Sequence, residues 1–140
     1  MTFKAAMLPV FAQMLLTFAL FVMMARARYG AVSARQVRLP DIALGGEAWP
    51  ERVKQIGNAF HNQLELPLLY YALVAFTLLY NRVDGLFVVM SWLFVVARLA
   101  HAYVHVTSNF VPRRFMIFGM GASVLLLMWL IFAARVILSS

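Results

Sequence analysis

Four long apolar runs, at about 5–25, 55–80, 85–106 and 115–137, occupy most of the chain. A helix rises about 1.5 Å per residue, so roughly 20 residues cross a hydrocarbon core of about 30 Å. In lipid each run must satisfy its own backbone hydrogen bonds, which leaves helix as the available structure. The predicted fold is therefore an all-α integral membrane four-helix bundle, with residues 1–140 as a single domain. Composition agrees. Hydrophobic residues make up 64% of the chain, against twelve Lys and Arg and five Asp and Glu. That is too little polar surface for a soluble domain of this size. The absence of cysteine excludes disulfides, thiolate metal sites and a cysteine nucleophile.

The first run follows Lys4 and ends in Ala25-Arg26-Ala27, which looks like a signal-peptide cleavage site. A charge inside that site is unfavourable, so the run is read as a retained helix. Basic residues gather at two connections. Arg26, Arg28, Arg35, Arg38, Arg52 and Lys54 belong to the first, and Arg113 and Arg114 close the third. The opposite face carries Lys4, Arg82 and Arg135. This asymmetry predicts that the first and third connections are cytoplasmic and both termini lie outside the cytoplasm. It also explains the net charge of +7 through a membrane surface, with no nucleic-acid partner.

The stretch NAFHNQLELP, residues 58–67, puts amides, a histidine and a carboxylate at the start of the second run. Positions three, four and seven apart share a helix face. Asn58, His61, Asn62 and Glu65 follow that rule, and so do Arg98, His101 and His105 in the third run. Counting inward from Gln55 and Ser108, Glu65 and Arg98 each lie ten residues deep. The two stripes are thus expected to match rung by rung, with Glu65 facing Arg98, His61 and Asn62 level with His101, and Asn58 level with His105. Such pairing offsets the cost of isolated charges in a bilayer, about 2.5–3.5 kcal/mol each on insertion scales. Pro67 predicts a kink and a freed carbonyl at Gln63. Gly119, Gly121 and Ser123 predict close helix contact.

A buried ladder that only sets helix register is one reading. The excess of cations favours another. Arg98, Arg113 and Arg114 outnumber Glu65, and Pro112 predicts a helix start there that adds a positive dipole end. A small zwitterion with extra carboxylates suits such a site. His61, His101 and His105 also permit a haem or metal. Hydrogen-bonding histidines are the simpler reading, and no metal is assigned.

These residues resemble the MAPEG family, membrane-associated proteins in eicosanoid and glutathione metabolism. The four-span layout resembles it along the whole chain. NQLELP is similar to its Asn-x-x-Glu motif followed by Pro, and RLAHAYVHVTSNFVPRR, residues 98–114, resembles its prostaglandin E synthase branch. The resemblance implies a homotrimer with glutathione bound near the cytoplasmic side. Asn62, Glu65, Arg98, His101, His105 and Arg113 would bind glutathione, with Glu65 taking its ammonium. Arg114 would be the catalytic residue, stabilising the thiolate. The chemistry implied is transferase or peroxidase action on lipophilic electrophiles that arrive from the bilayer.

The chain also departs from the pattern. Asn58 stands where catalytic members generally carry arginine. His105 and Phe118 stand where tyrosines are common. The variant NAFHNQLELPLLYYAL looks more like a bacterial subgroup, which implies an inner membrane. The competing expectation is a non-catalytic protein of the same fold, an accessory subunit or lipid-binding scaffold.

Overall fold

The computed structural model describes residues 2–139; residues 1 and 140, the ends of the expected domain, lie outside the described residues. It is all helix among them: α1 Phe3–Ser33, α2 Leu39–Ile42, α3 Glu51–Asn62, α4 Leu66–Leu79, α5 Gly85–Val106 and α6 Val111–Leu138. Four spans are long and apolar enough to cross a membrane, with α3 and α4 together forming the second.

Local chemistry sets the helix ends. Thr2 caps α1 by accepting from the Ala5 N–H at 3.2 Å, and Asp84 caps α5 by accepting from the Phe87 N–H at 2.9 Å. Three helices end with a residue of positive φ: Arg35, Asn81 and Asn109. Asparagine tolerates this left-handed conformation better than most residues. At the last two sites the chain reverses directly into the next connection, and the N–H groups of Arg82 and Asn109 return to the carbonyls of Thr77 and Val104.

One continuous helix over 55–80 does not form. Pro67 has no N–H to offer the Gln63 carbonyl, and its ring would crowd that group. α3 stops at Asn62, and the N–H groups of Gln63, Leu64 and Glu65 bond only three residues back, at 2.9, 3.0 and 3.3 Å. The chain then resumes as α4, with Pro67 in its first turn.

α5 packs against α6, α1 and α3, while α4 rests on α1 and α6. The main core joins Val10, Tyr70, Leu73, Phe94 and Leu125, where the rings of Tyr70 and Phe94 stack at 4.9 Å. Gly121 lets α6 approach α5, since a Cβ there would sit 3.4 Å from Ala97. The small residues of α6 thus serve contact within the chain at Gly121, while Gly119 faces open space. Large apolar side chains such as Leu15, Leu79 and Phe115 point outward. An outer surface of this kind is stable against lipid tails and costly against water.

A buried amide pair crosses this apolar interior. The Gln13 side-chain amide donates to Gln63 Oε1 at 2.9 Å, tying the middle of α1 to the interruption between α3 and α4. Gln63 donates in turn to the Ala59 carbonyl at 3.3 Å.

Candidate functional site

The proline break ends α3 among its polar residues, and the Asn62 carbonyl, held only by the 3.3 Å bond from the Glu65 N–H, can accept a side-chain donor as well. Arg98, only 1% exposed, reaches across from α5. Its Nη2 donates to the Asn62 side-chain oxygen and to the Asn62 carbonyl, the latter at 3.3 Å. A cation at a helix C-terminus is favourable, so the guanidinium completes α3. Asn62 uses its other group toward Glu65, donating from Nδ2 to Oε2 at 3.3 Å. The three residues form a relay from the buried cation through the amide to the exposed carboxylate.

This corrects the expected direct pairing of Glu65 with Arg98. No ion pair joins them among the described residues. Asn62 takes the place opposite Arg98, one turn earlier than the counting implied. The break turns position 65 outward, and a wheel drawn through an intact helix cannot anticipate that.

α5 presents His101 and His105 on the face that carries Arg98, and all three are buried. The two imidazole rings meet edge to face at 5.5 Å. Their Nδ1 atoms are buried with no hydrogen-bond partner. α6 supplies the opposite wall. Phe118 lies 5.6 Å from the His101 ring and 5.8 Å from the Arg98 guanidinium, centre to centre. Arg114 donates to Asn109 Oδ1 at 2.7 Å. The left-handed turn at Asn109 therefore has a second effect, since it places the side chain that tethers Arg114.

Between these walls lies an open cleft of about 260 Å³, lined by Asn62, Glu65, His101, His105, Val111, Arg114, Phe115 and Phe118. Of the candidate residues, the structure brings Asn62, Glu65, His101, His105 and Arg114 to the cleft and sets Arg98 behind Asn62. Arg113 is a correction. It is exposed and stacks on Phe110 at 5.8 Å, away from the cleft. Asn58 and His61 are also displaced from their expected rungs. Both line a different groove with Arg28, so the three histidines do not converge. Among the described residues, no three metal-ligating side chains gather to hold an ion.

Sequence reasoning missed two residues here. Asn109 had a signal in its position just before the Phe-Val-Pro helix start. Gln13 had one as the lone glutamine in an apolar span.

The cleft is lined by one carboxylate, one guanidinium and two imidazoles. Such a set can hold a zwitterion and stabilise a second negative charge near Arg114. Residues 6–134 match the family model described as MAPEG family. No curated protein and no solved structure gives a match.

Proposed function

The chain belongs to the MAPEG family, and on that premise we propose that it is a glutathione-dependent transferase or peroxidase acting on lipophilic electrophiles. The observation that carries the reading is the relay from Arg98 through Asn62 to Glu65, placed across one cleft from Arg114. Glutathione supplies a thiol whose deprotonated form is the nucleophile. Glu65 would take the γ-glutamyl ammonium, its orientation held by Asn62. His101 and His105 line the cleft beside them. Arg114, held by Asn109, would stabilise the thiolate and so lower the thiol pKa. The sulfur lone pair then forms the bond to the electrophilic carbon, and the leaving group departs with its electron pair. Phe115 and Phe118 give that electrophile an apolar wall. The family resemblance supports a homotrimer, the NAFHNQLELPLLYYAL variant supports a bacterial inner membrane, and the basic first and third connections support termini outside the cytoplasm.

The second reading is a fold that retains the cleft without the chemistry. Phe118 favours it, because a phenyl ring fills the space beside His101 and Arg98 and offers no hydroxyl to the sulfur. Conjugation of chlorodinitrobenzene separates the two. The enzyme reading expects turnover by the wild type and a fall of roughly 100-fold in Arg114→Ala, the order expected for losing one charge-stabilising group. No rate above the uncatalysed reaction in the wild type supports the non-catalytic reading, and equal catalysed rates in both proteins would remove Arg114 from the thiolate role.

A further inference from the structure

A second polar groove, sharing no residue with the cleft, has a volume of about 340 Å³ and lies between α1, the connection at Gly46–Trp49 and α3. Arg28 lines it. The guanidinium packs on the Trp49 ring at 5.4 Å, and its Nε is buried with no partner. Gly57 makes room, since a Cβ there would press within 3.3 Å of Arg28 Nη2. Lys54 stands beside it with only a backbone contact, to the Glu47 carbonyl at 3.4 Å. Neither cation has an ion-pair partner among the described residues. Asn58 and His61 add polar side chains, and Glu47 is the single acidic residue at the rim.

The depth of this groove follows from neighbouring hydrogen bonds. Gln55 donates to the carbonyls of His105 at 2.8 Å and Thr107 at 3.1 Å, and Arg52 donates to that of Val106. Residues 52–55 of α3 are therefore level with the last turn of α5. That helix has 22 residues and spans roughly 33 Å, about the thickness of the hydrocarbon core. Its end marks the apolar boundary, and the anion found there in bulk is lipid phosphate. Trp49 suits the same depth.

We propose that Arg28, Lys54, Asn58 and His61 form a binding site for a phosphate ester at the membrane interface, with the headgroup of an anionic phospholipid as its ligand. The guanidinium and ammonium face the phosphate oxygens and the Asn58 amide adds a donor. The indole, flat against Arg28, keeps the guanidinium in place.

The test follows thermal unfolding of the full chain in dodecyl maltoside while dioleoyl phosphatidylglycerol, dioleoyl phosphatidylcholine or glycerol phosphate is titrated in. A saturable rise with phosphatidylglycerol, absent with phosphatidylcholine, is expected. Asn58→Asp places a carboxylate in the groove at an exposed position and should weaken the apparent affinity roughly tenfold, as like-charge juxtaposition does. Lys54→Gln should weaken it in the same direction, while Arg35→Gln, on the same connection but outside the groove, should not. A rise with glycerol phosphate alone, still lost in Asn58→Asp, keeps the site and assigns a soluble ester as its ligand. No rise with either phosphate ester overturns the proposal. So does an equal loss in Arg35→Gln, which would reveal diffuse surface attraction.

Discussion

Arg98 of α5 is locked to Asn62 at the end of α3, through both the side-chain oxygen and the carbonyl of that residue. Its Nε and Nη1 have no hydrogen-bond partner and lie buried near the Phe118 ring. One asparagine therefore holds a buried cation, closes a helix and aims a carboxylate at the cleft.

Asn62→Ala removes the side-chain acceptor and leaves the buried guanidinium with only the backbone carbonyl at 3.3 Å. A hydrogen bond to a charged group contributes about 1.5–3 kcal/mol, so a stability loss of about 2 kcal/mol is expected. Asn62→Asp keeps an acceptor for Arg98 but loses the donor to Glu65, and should restore most of the stability without restoring ligand affinity. Thermal unfolding in detergent checks both. An unchanged melting temperature in Asn62→Ala would show that Arg98 does not depend on this contact.

The Gln13–Gln63 pair should behave as a coupled unit. Gln13→Leu leaves Gln63 Oε1 without its donor in an apolar interior and should lower stability by about 1 kcal/mol, the scale of interhelical hydrogen bonds in membranes. Replacing both by leucine should cost less than the sum of the single changes. Strict additivity in this double-mutant cycle would mean the pair contributes no coupling.

At the opposite end of the molecule, Asp84 pairs with Arg135 at 2.7 Å. Partial burial pushes its carboxyl up, but the Phe87 N–H and Arg135 outweigh this and hold it below the ordinary carboxylate value. The unfolded chain then binds the proton more readily, so the stabilisation is full above the unfolded pKa of about 4 and disappears as pH falls through the lowered folded value. Both side chains are a third or more solvent-exposed, so screening limits the effect to below about 1 kcal/mol. Asp84→Asn should melt slightly earlier than wild type at neutral pH, and the gap should close in acid. A gap independent of pH would show that the difference does not come from the charge of Asp84.

The four spans were legible because lipid admits only long apolar helices, and each run announces itself by length. The stripe of Arg98, His101 and His105 was legible too, because α5 is unbroken and its face keeps phase over the whole span. Pro67 announced a kink in the second span, and the structure shows a full break between α3 and α4. Its consequence was not legible. A break resets the angle between the residues on either side, so Asn62, on the α3 side, meets Arg98, while Glu65, past the break, turns out. Adjacent positions posed the same difficulty at the start of α6. Arg113 and Arg114 differ by about 100° around the axis, and only the packed bundle shows that 114 faces the cleft. Asn109 then holds it there.

The most direct measurement is equilibrium binding of glutathione to the purified protein, wild type beside Glu65→Gln. On the proposed function Glu65 takes the ligand's ammonium, so wild type should bind at millimolar concentrations or below and the variant at least roughly tenfold more weakly, as losing a charge-assisted contact requires. Equal affinity in the two proteins, or no binding by wild type, would contradict the assignment of this cleft to glutathione.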